Sequence, residues 1–270
     1  MRLGIMQPYF FPYIGYFDLI NRVDRWVVFD TAQYIRHGWV NRNRILRPDS
    51  GWQYVVVPTE RHHRQTPISG IRISRAGDWR ARLLGQLAHY RKQAPCFDAT
   101  LALVAECLDP GEVSLARLNV RILERVCAAL AIPFRREVFS EMSLALGPVE
   151  GPGDWALRIC EALGADEYVN PPGGTELFEA DRFRAGGMKL TFQTPVEFVY
   201  PTGRYAFVPW LSIIDVLMWN EPAAVKAHLA ALKNTARQEG KSTVLARSGP
   251  ATALQTPRDI TRRRVVVRET

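Results

Sequence analysis

The polar residues best suited to chemistry form a cationic run between positions 36 and 45. Arg42 and Arg44 are two residues apart, so an extended segment places both guanidinium groups on one face, with Asn41 and Asn43 on the other. Guanidinium groups form paired hydrogen bonds with phosphate or carboxylate oxygens, and His37 adds a further donor. The spacing predicts a site for an anionic ligand; the alternative is a solvated, charged hairpin.

A second candidate is the stretch 6–17, which is rich in aromatic residues and contains two prolines. The prolines fix φ and remove two backbone donors, so the segment is stiff. Gln7, Tyr9, Tyr13 and Tyr16 can each offer a hydrogen bond to a substrate. The alternative is an aromatic plug that seals the edge of a sheet.

The motif Tyr13-Ile14-Gly15-Tyr16 stands where nucleotidyltransferase-type α/β enzymes carry His-x-Gly-His at the start of the first helix. There, the histidines and the helix N-terminus stabilise charge on the transferred phosphate. A phenol ionises at about pH 10 and cannot become a cation. The architecture therefore resembles that class, whereas adenylyl transfer is disfavoured.

Two further polar sites adjoin predicted helices. Ser212 and Asp215 have the spacing of a capping box. Alternatively, Asp215 faces the site as an acid, a base or an amine anchor, and if buried it needs a partner such as Arg42 or Arg44. Asn170 begins an Asn-Pro-Pro-Gly-Gly-Thr segment, which is typical of either a tight turn or a ligand-binding loop.

The elements that must position these residues alternate along the chain. Strand 2–6, helix 17–23 and strand 26–30 form a βαβ unit, and ligands bind open α/β sheets beside such carboxyl ends. Other predicted strands are 53–57, 70–74, 134–139, 167–170, 188–193 and 196–200, and other predicted helices are 154–163 and 211–219. This order predicts an α/β fold with a mostly parallel Rossmann-like sheet, resembling nucleotidyltransferase-type folds, and a helical insertion at about 78–131.

The composition predicts one α/β domain over residues 1–234 and a basic tail over 235–270. The tail holds eight Lys/Arg and three Asp/Glu, so it contributes +5 of the net charge of +8. No succession of aromatics and cations typical of a nucleic-acid stacking platform is present, which argues against a nucleic-acid partner. No apolar run of about 18 residues predicts a membrane span.

The sequence signals that are missing bear on the cellular compartment and on cofactor use. No signal peptide is evident, and the four cysteines have no C-x-x-C spacing, so we expect a cytoplasmic protein with reduced thiols. The adjacent pair His62-His63 lacks the spacing of a metal site, and no P-loop or dinucleotide fingerprint occurs. We therefore expect neither a metal nor a cofactor.

Four segments together resemble the WbqC-like protein family. They are the opening stretch from Met6 to Phe17, Asn41–Ile45, Gly164-Ala165 with Tyr168, and Phe207–Leu217. The resemblance runs from residue 2 to about 220. It implies a bacterial cytoplasmic protein associated with gene sets for O-antigen, other surface polysaccharides and specialised metabolites, without implying one reaction.

The leading functional hypothesis is a metal-independent transferase. It would move an acyl or aminoacyl group from a small anionic donor, such as a nucleotide sugar or a thioester, to an amine or hydroxyl of a sugar or specialised-metabolite intermediate. In this hypothesis Arg42 and Arg44 hold the donor's phosphates and Asp215 accepts the proton or binds the amine. The reacting carbonyl is oriented by Gln7, Tyr13, Tyr16 and Asn41, and Tyr9, His37, Asn170 and Ser212 complete the substrate-binding set. The alternatives are a glycosyltransferase of surface polysaccharide biosynthesis and a non-catalytic scaffold for a carrier protein. The oligomeric state is left open.

Overall fold

The computed structural model describes the backbone of residues 1–242 and the side chains of residues 1–234. The strands in this part of the chain are β1 (Arg2–Met6), β2 (Arg25–Val28), β3 (Arg42–Leu46), β4 (Trp52–Val56), β5 (Arg136–Val138), β6 (Glu167–Asn170) and β7 (Lys189–Phe192). The helices are α1 (Ile14–Arg22), α2 (Trp79–Gln86), α3 (Phe97–Cys107), α4 (Leu115–Ala129), α5 (Asp154–Leu163), α6 (Ala180–Ala185), α7 (Ile213–Trp219) and α8 (Pro222–Ser242).

Five of these strands form one parallel sheet in the order β5-β2-β1-β6-β7. The sheet has apolar side chains on both faces, as parallel sheets covered by helices require. Leu3 and Ile5 of β1 pack in a core with α5 and α6, whereas Trp26 and Val28 of β2 pack in a core with α1, α4, α7 and α8. The predicted Rossmann-like α/β fold is confirmed.

The strand order reverses direction between β1 and β6. From β1 the chain proceeds to β2 and β5 on one side, and it later returns to β6 and β7 on the other. The carboxyl ends of β1 and β6 therefore flank the point where open α/β sheets usually bind ligands. Gln7 follows β1 at this point, and Asn170 ends β6.

Strands β3 and β4 form an antiparallel hairpin outside the parallel sheet. The predicted strand 53–57 thus pairs with β3 rather than with the parallel strands. Arg42 pairs with Val56 and Arg44 with Tyr54 across the hairpin. Because side chains alternate, these residues lie on one face, while buried Asn43 points to the interior. The predicted separation of Arg42 and Arg44 from Asn43 is confirmed, whereas Asn41 precedes the strand and lines the same cleft as Arg42.

Several predicted elements have different limits. The segment 70–74 makes only isolated bridges, through Thr59–Ile73 and Arg72–Ser114, and 196–200 is irregular, although both contain buried apolar residues. Apolar alternation alone does not supply a neighbouring strand. The first helix begins three residues earlier than predicted, at the end of the opening stretch.

Helix α5 begins and ends at the predicted residues, 154 and 163, and differs from expectation only at its N-cap. Gly164 ends it with φ of +63°, a conformation that favours glycine. Gly153, rather than Asp154, occupies the N-cap position. The Asp154 carboxylate instead accepts hydrogen bonds from the backbone N–H groups of Glu150 and Gly151.

Two sequence expectations concern bulk properties. All four cysteines lie within the described residues and are buried free thiols, as expected of small core residues. Within residues 1–242, no helix has the length and apolar character needed to cross a bilayer. The predicted basic tail, residues 235–270, lies outside the part of the chain whose side chains are described.

Candidate anion-binding site

The loop that follows β1 is held in place by buried polar side chains. The Asn43 amide donates to the carbonyl oxygens of Phe10 at 3.0 Å and Phe11 at 2.9 Å. Ser212 caps α7 by accepting from the Ile214 N–H and donates its own hydroxyl to the Phe11 carbonyl at 2.7 Å. The predicted capping position of Ser212 is confirmed, and its hydroxyl is fully engaged with protein groups.

Asn119 of α4 is a loop-holding residue that the sequence analysis missed. Its amide donates to the Pro8 carbonyl at 2.9 Å and to the Val40 carbonyl at 2.7 Å. It thereby joins the loop after β1 to the segment that precedes β3. Asn119 is buried in the apolar face of a helix, and a polar residue in such a stripe is the signal that could have found it.

The tyrosines of the opening stretch are neutral hydrogen-bonding groups. Burial raises the pKa of Tyr9, raises that of Tyr13 to about 12 and raises that of Tyr16 well above its usual range. The Tyr16 hydroxyl donates to the Gln7 carbonyl at 2.8 Å and is almost wholly buried. Tyr16 therefore stiffens the loop, while the half-buried Tyr13 ring contacts the edge of Trp210 at 5.8 Å between ring centres.

Gly15 is needed for the position of Tyr13. A Cβ atom at residue 15 would come within 2.3 Å of the Tyr13 ring, well inside van der Waals contact. The glycine of the Tyr-x-Gly-Tyr motif thus lets the phenol fold back over the first turn of α1. This is a packing reason for the glycine.

Arg42 is held over an aromatic ring at the edge of a cleft. Its guanidinium carbon lies 4.1 Å from the centre of the Tyr54 ring, and one terminal nitrogen donates to the His37 carbonyl. The His37 Nδ1 lies 3.4 Å from the other terminal nitrogen. The buried Nε atom of Arg42 has no hydrogen-bond partner within the described residues. A stacked guanidinium is pre-oriented, so less side-chain entropy is lost when it binds an anion.

Arg44 lies between two indole rings on the same face of the hairpin. Its guanidinium carbon is 5.4 Å from the Trp39 ring and 5.1 Å from the Trp52 ring. A terminal nitrogen donates to the Trp210 carbonyl at 3.3 Å. Partial burial lowers the pKa of Arg44 from its usual value, and a guanidinium remains charged at neutral pH in any case.

A cleft of about 620 Å³ opens beside Arg42, between β3 and the segments around residues 34–37 and 59–62. The sequence analysis predicted three of its residues, His37, Asn41 and Arg42. It did not assign a substrate-binding role to the others, which are Tyr34, Arg36, Val56, Thr59, Glu60, Arg61 and His62.

The charge of this cleft is positive. Three arginines line it, and the carboxylate among its lining residues, Glu60, lies 3.4 Å from Arg72 on another segment. The Asn41 amide donates to the Val57 carbonyl at 3.0 Å, while its buried Oδ1 lacks a hydrogen-bond partner in the part of the chain that the structure describes. The cleft therefore presents guanidinium donors for an anion.

Strained backbone is concentrated near these residues. Four non-glycine residues among those described have positive φ, and three of them are Phe11 at +39°, His37 at +66° and Trp210 at +61°. Phe11 is in the loop after β1, His37 lines the cleft, and Trp210 contacts Arg44. Positive φ in bulky residues is costly and recurs at functional sites. Trp210 was missed because a sequence gives no signal for left-handed backbone at a tryptophan.

Asp215 lies in a buried network instead of facing the cleft. It is fully buried, and its oxygens accept from the hydroxyls of Tyr90 and Tyr200. The prediction that Arg42 or Arg44 would be its partner is wrong, because both guanidinium groups stack on the outer face of the hairpin. Desolvation raises the pKa of Asp215 to about 6.

Asn170 closes the loop that follows β6. Its amide donates to the carbonyls of Pro171 at 2.9 Å and Gly173 at 3.0 Å, and its oxygen accepts from the Tyr168 hydroxyl at 2.8 Å. All of these contacts are within the loop and its own strand. Of the two readings left open by the sequence, the observed contacts are those of a tight turn.

The residues of this site also fall within a region shared with known proteins. The model of the WbqC-like protein family matches residues 7–227, which include the loop after β1, the hairpin and α7. The chain belongs to the WbqC-like protein family. This WbqC-like protein is also similar to the uncharacterized protein Rv1507c of Mycobacterium tuberculosis, with 30% identity over 225 residues, covering 80% of this chain and 92% of that protein. No solved structure matches the chain.

Proposed function

We propose that this WbqC-like protein is a group transferase whose small anionic donor is held by its phosphates in the cationic cleft. The observation that carries the proposal is the charge and pre-orientation of the cleft: three arginines line it, and Arg42 is stacked at 4.1 Å on Tyr54. Guanidinium groups fixed in this way suit phosphate oxygens.

The group transferred in this proposal is acyl or aminoacyl, and the acceptor is an amine or hydroxyl of a sugar or specialised-metabolite intermediate. His37 and His62 line the same cleft and offer an imidazole to take the proton released on transfer. Asp215 is too deeply buried to contact that acceptor.

The reaction as proposed takes place in the cytoplasm, alongside polysaccharide or specialised-metabolite synthesis. Four buried free thiols fit a reducing compartment. For acyl transfer the donor is a thioester, whose thiol is released when the acyl group moves, and a carrier protein is a second way of presenting the acyl group. A nucleotide sugar is the donor in the glycosyltransferase alternative.

The first test is binding of inorganic pyrophosphate to the full chain, measured by calorimetry and thermal shift. Ligand bound to the native state raises the transition temperature. Loss of one charged hydrogen-bonding group costs about 1.5–3 kcal/mol, so Arg42→Ala should weaken binding about 10- to 100-fold. The matched control is Arg47→Ala, because Arg47 follows the same strand, is largely exposed and is absent from the cleft lining.

The second step is a transfer assay read by mass spectrometry. Coenzyme A thioesters and nucleotide sugars are offered as donors, with amino sugars as acceptors. An acylated amino sugar formed by the wild type and Arg47→Ala, and lost in Arg42→Ala, supports acyl transfer. Glycosylated product would favour the glycosyltransferase alternative. Unchanged pyrophosphate affinity in Arg42→Ala would contradict the assignment of the cleft.

A further inference from the structure

A row of aromatic rings and guanidinium groups continues from the cleft over one face of the β3–β4 hairpin to Trp39, which precedes β3. We call this the ring ladder, and it consists of Trp39, Arg44, Trp52, Tyr54 and Arg42. Arg44 lies between Trp39 and Trp52 at 5.4 and 5.1 Å, the Trp52 and Tyr54 ring centres are 4.9 Å apart, and Arg42 covers Tyr54 at 4.1 Å.

The ring ladder and the cleft meet at one residue. Arg42 stacks on the ladder and also lines the cleft, and Val56, its partner across the hairpin, lines the cleft beside it. A molecule with phosphates in the cleft would therefore have its next ring placed along the hairpin face. The two surfaces form one continuous site.

The ladder is open to solvent where a ligand could reach it. Trp52 of the ladder is 39% exposed, and Val56, which lines the adjoining cleft, is 43% exposed. Trp210 is 38% exposed and holds Arg44 through its carbonyl. Exposed tryptophans beside unneutralised arginines indicate a surface that a ligand covers.

The chemistry of the ladder selects a flat heteroaromatic ring over a sugar ring. Its polar groups are two guanidinium groups and two indole N–H groups, which donate hydrogen bonds and cannot accept them, so the Tyr54 hydroxyl is its one acceptor. Sugar hydroxyls need acceptors as well as donors, whereas a nucleobase stacks on indole, phenol and guanidinium faces and places acceptor atoms at its edge.

We propose that the ring ladder binds the nucleobase of a nucleotide whose phosphates occupy the cleft. This rests on the proposed function, and it narrows the donor to a nucleotide-bearing molecule, a class that includes nucleotide sugars and coenzyme A thioesters. Arg42 belongs to both parts of the site, since it stacks on Tyr54 of the ladder and lines the phosphate cleft.

The experiment compares uridine 5′-diphosphate, adenosine 5′-diphosphate and inorganic pyrophosphate on the full chain by calorimetry. The wild type should bind at least one diphosphate nucleotide more tightly than pyrophosphate. Because stacking on one aromatic residue is worth about 1–3 kcal/mol, Trp52→Ala should weaken nucleotide binding about 5- to 100-fold and leave pyrophosphate binding unchanged. Trp52→Phe, which keeps a stacking face, should retain most of the nucleotide affinity.

The outcomes separate the two proposals. Equal weakening of nucleotide and pyrophosphate by Trp52→Ala would mean that the tryptophan only positions the arginines, and would overturn the ladder as a base site. If the wild type binds pyrophosphate as tightly as either nucleoside diphosphate, the ladder is not a base site, whereas the assignment of the phosphate cleft still holds. Failure of the wild type to bind pyrophosphate or either nucleotide would overturn both. Circular dichroism and thermal unfolding of each variant, with Val199→Ala as an exposed apolar control, establish that the fold is retained.

Discussion

At the scale of single residues, Arg42 and Asp215 show two ways in which a charged side chain can be accommodated. Arg42 stays at the surface and gains orientation from a phenol ring. Asp215 is removed from water and gains two phenol hydrogen bonds. Desolvation of a carboxylate outweighs two such bonds here, because the pKa of Asp215 is raised to about 6. The buried carboxyl is thus a stability determinant rather than a surface catalyst.

The raised pKa of Asp215 predicts a pH-dependent stability. In the folded protein the carboxyl keeps its proton up to about pH 6, whereas in the unfolded chain it ionises near its usual value of 3.8. The folded state therefore binds more protons between these values, so this group makes the free energy of unfolding fall as pH rises from 4 to 6. The total change is about 3 kcal/mol.

Urea unfolding of the wild type and Asp215→Asn between pH 4 and 7 measures this effect. As pH rises from 4 to 6, the unfolding free energy of the wild type should fall relative to that of Asp215→Asn. Above pH 6 the difference between the two proteins should stay constant. Tyr200→Phe removes one hydrogen bond to the carboxylate and should extend the fall to higher pH. Parallel pH curves for the wild type and Asp215→Asn would contradict the proposed titration.

At the scale of elements, the start of α1 depends on a close approach that only glycine permits. The helix has no side-chain cap at Tyr13, and the Tyr13 ring covers the position where a Cβ of residue 15 would lie. Substitution of Gly15 therefore tests whether the protein needs this close approach for stability.

Gly15→Ala should destabilise the protein by about 1–3 kcal/mol, because overpacking forces the Tyr13 ring away from Trp210. Gly85→Ala in α2 is the matched control, since a Cβ there meets nothing within 4 Å. Glycine lowers helix stability by about 1 kcal/mol relative to alanine, so the control should stabilise. Thermal and urea unfolding of both variants give the comparison. Equal stabilisation by both substitutions would show that the Tyr13 ring adapts without cost.

At the scale of the whole molecule, the positive charge is unevenly divided. Residues 243–270, which the structure does not describe, contain six Lys/Arg and two Asp/Glu. The family match ends at residue 227, within α8, which packs against α1. The transferase hypothesis assigns ligand binding to the arginines of the cleft. The scaffold hypothesis assigns carrier-protein binding to the basic tail, residues 235–270.

A chain ending at residue 242 keeps every residue that lines the cleft, so it should bind pyrophosphate within about twofold of the full chain. The scaffold hypothesis predicts the reverse pattern with an acidic acyl carrier protein: truncation abolishes association and Arg42→Ala does not. Calorimetry with pyrophosphate and with a purified carrier protein on the same two variants distinguishes them. Loss of pyrophosphate binding on truncation would move the anion site into residues 243–270.

The sequence by itself determined that strands β1, β2, β6 and β7 alternate with helices along the chain, because hydrophobic periodicity and glycine positions are local properties. It also determined that Arg42 and Arg44 share a face, since side chains in a strand alternate. Only the tertiary structure decided that the strand at 53–57 pairs in a hairpin and that 196–200 is irregular, because pairing depends on distant partners. It likewise gave Asp215 two tyrosines as partners, and it brought Trp39, Trp52, Tyr54 and Trp210 beside the arginines. Contacts between residues far apart in sequence leave no periodic signal, so stacking partners and buried hydrogen bonds become visible only when the chain is folded.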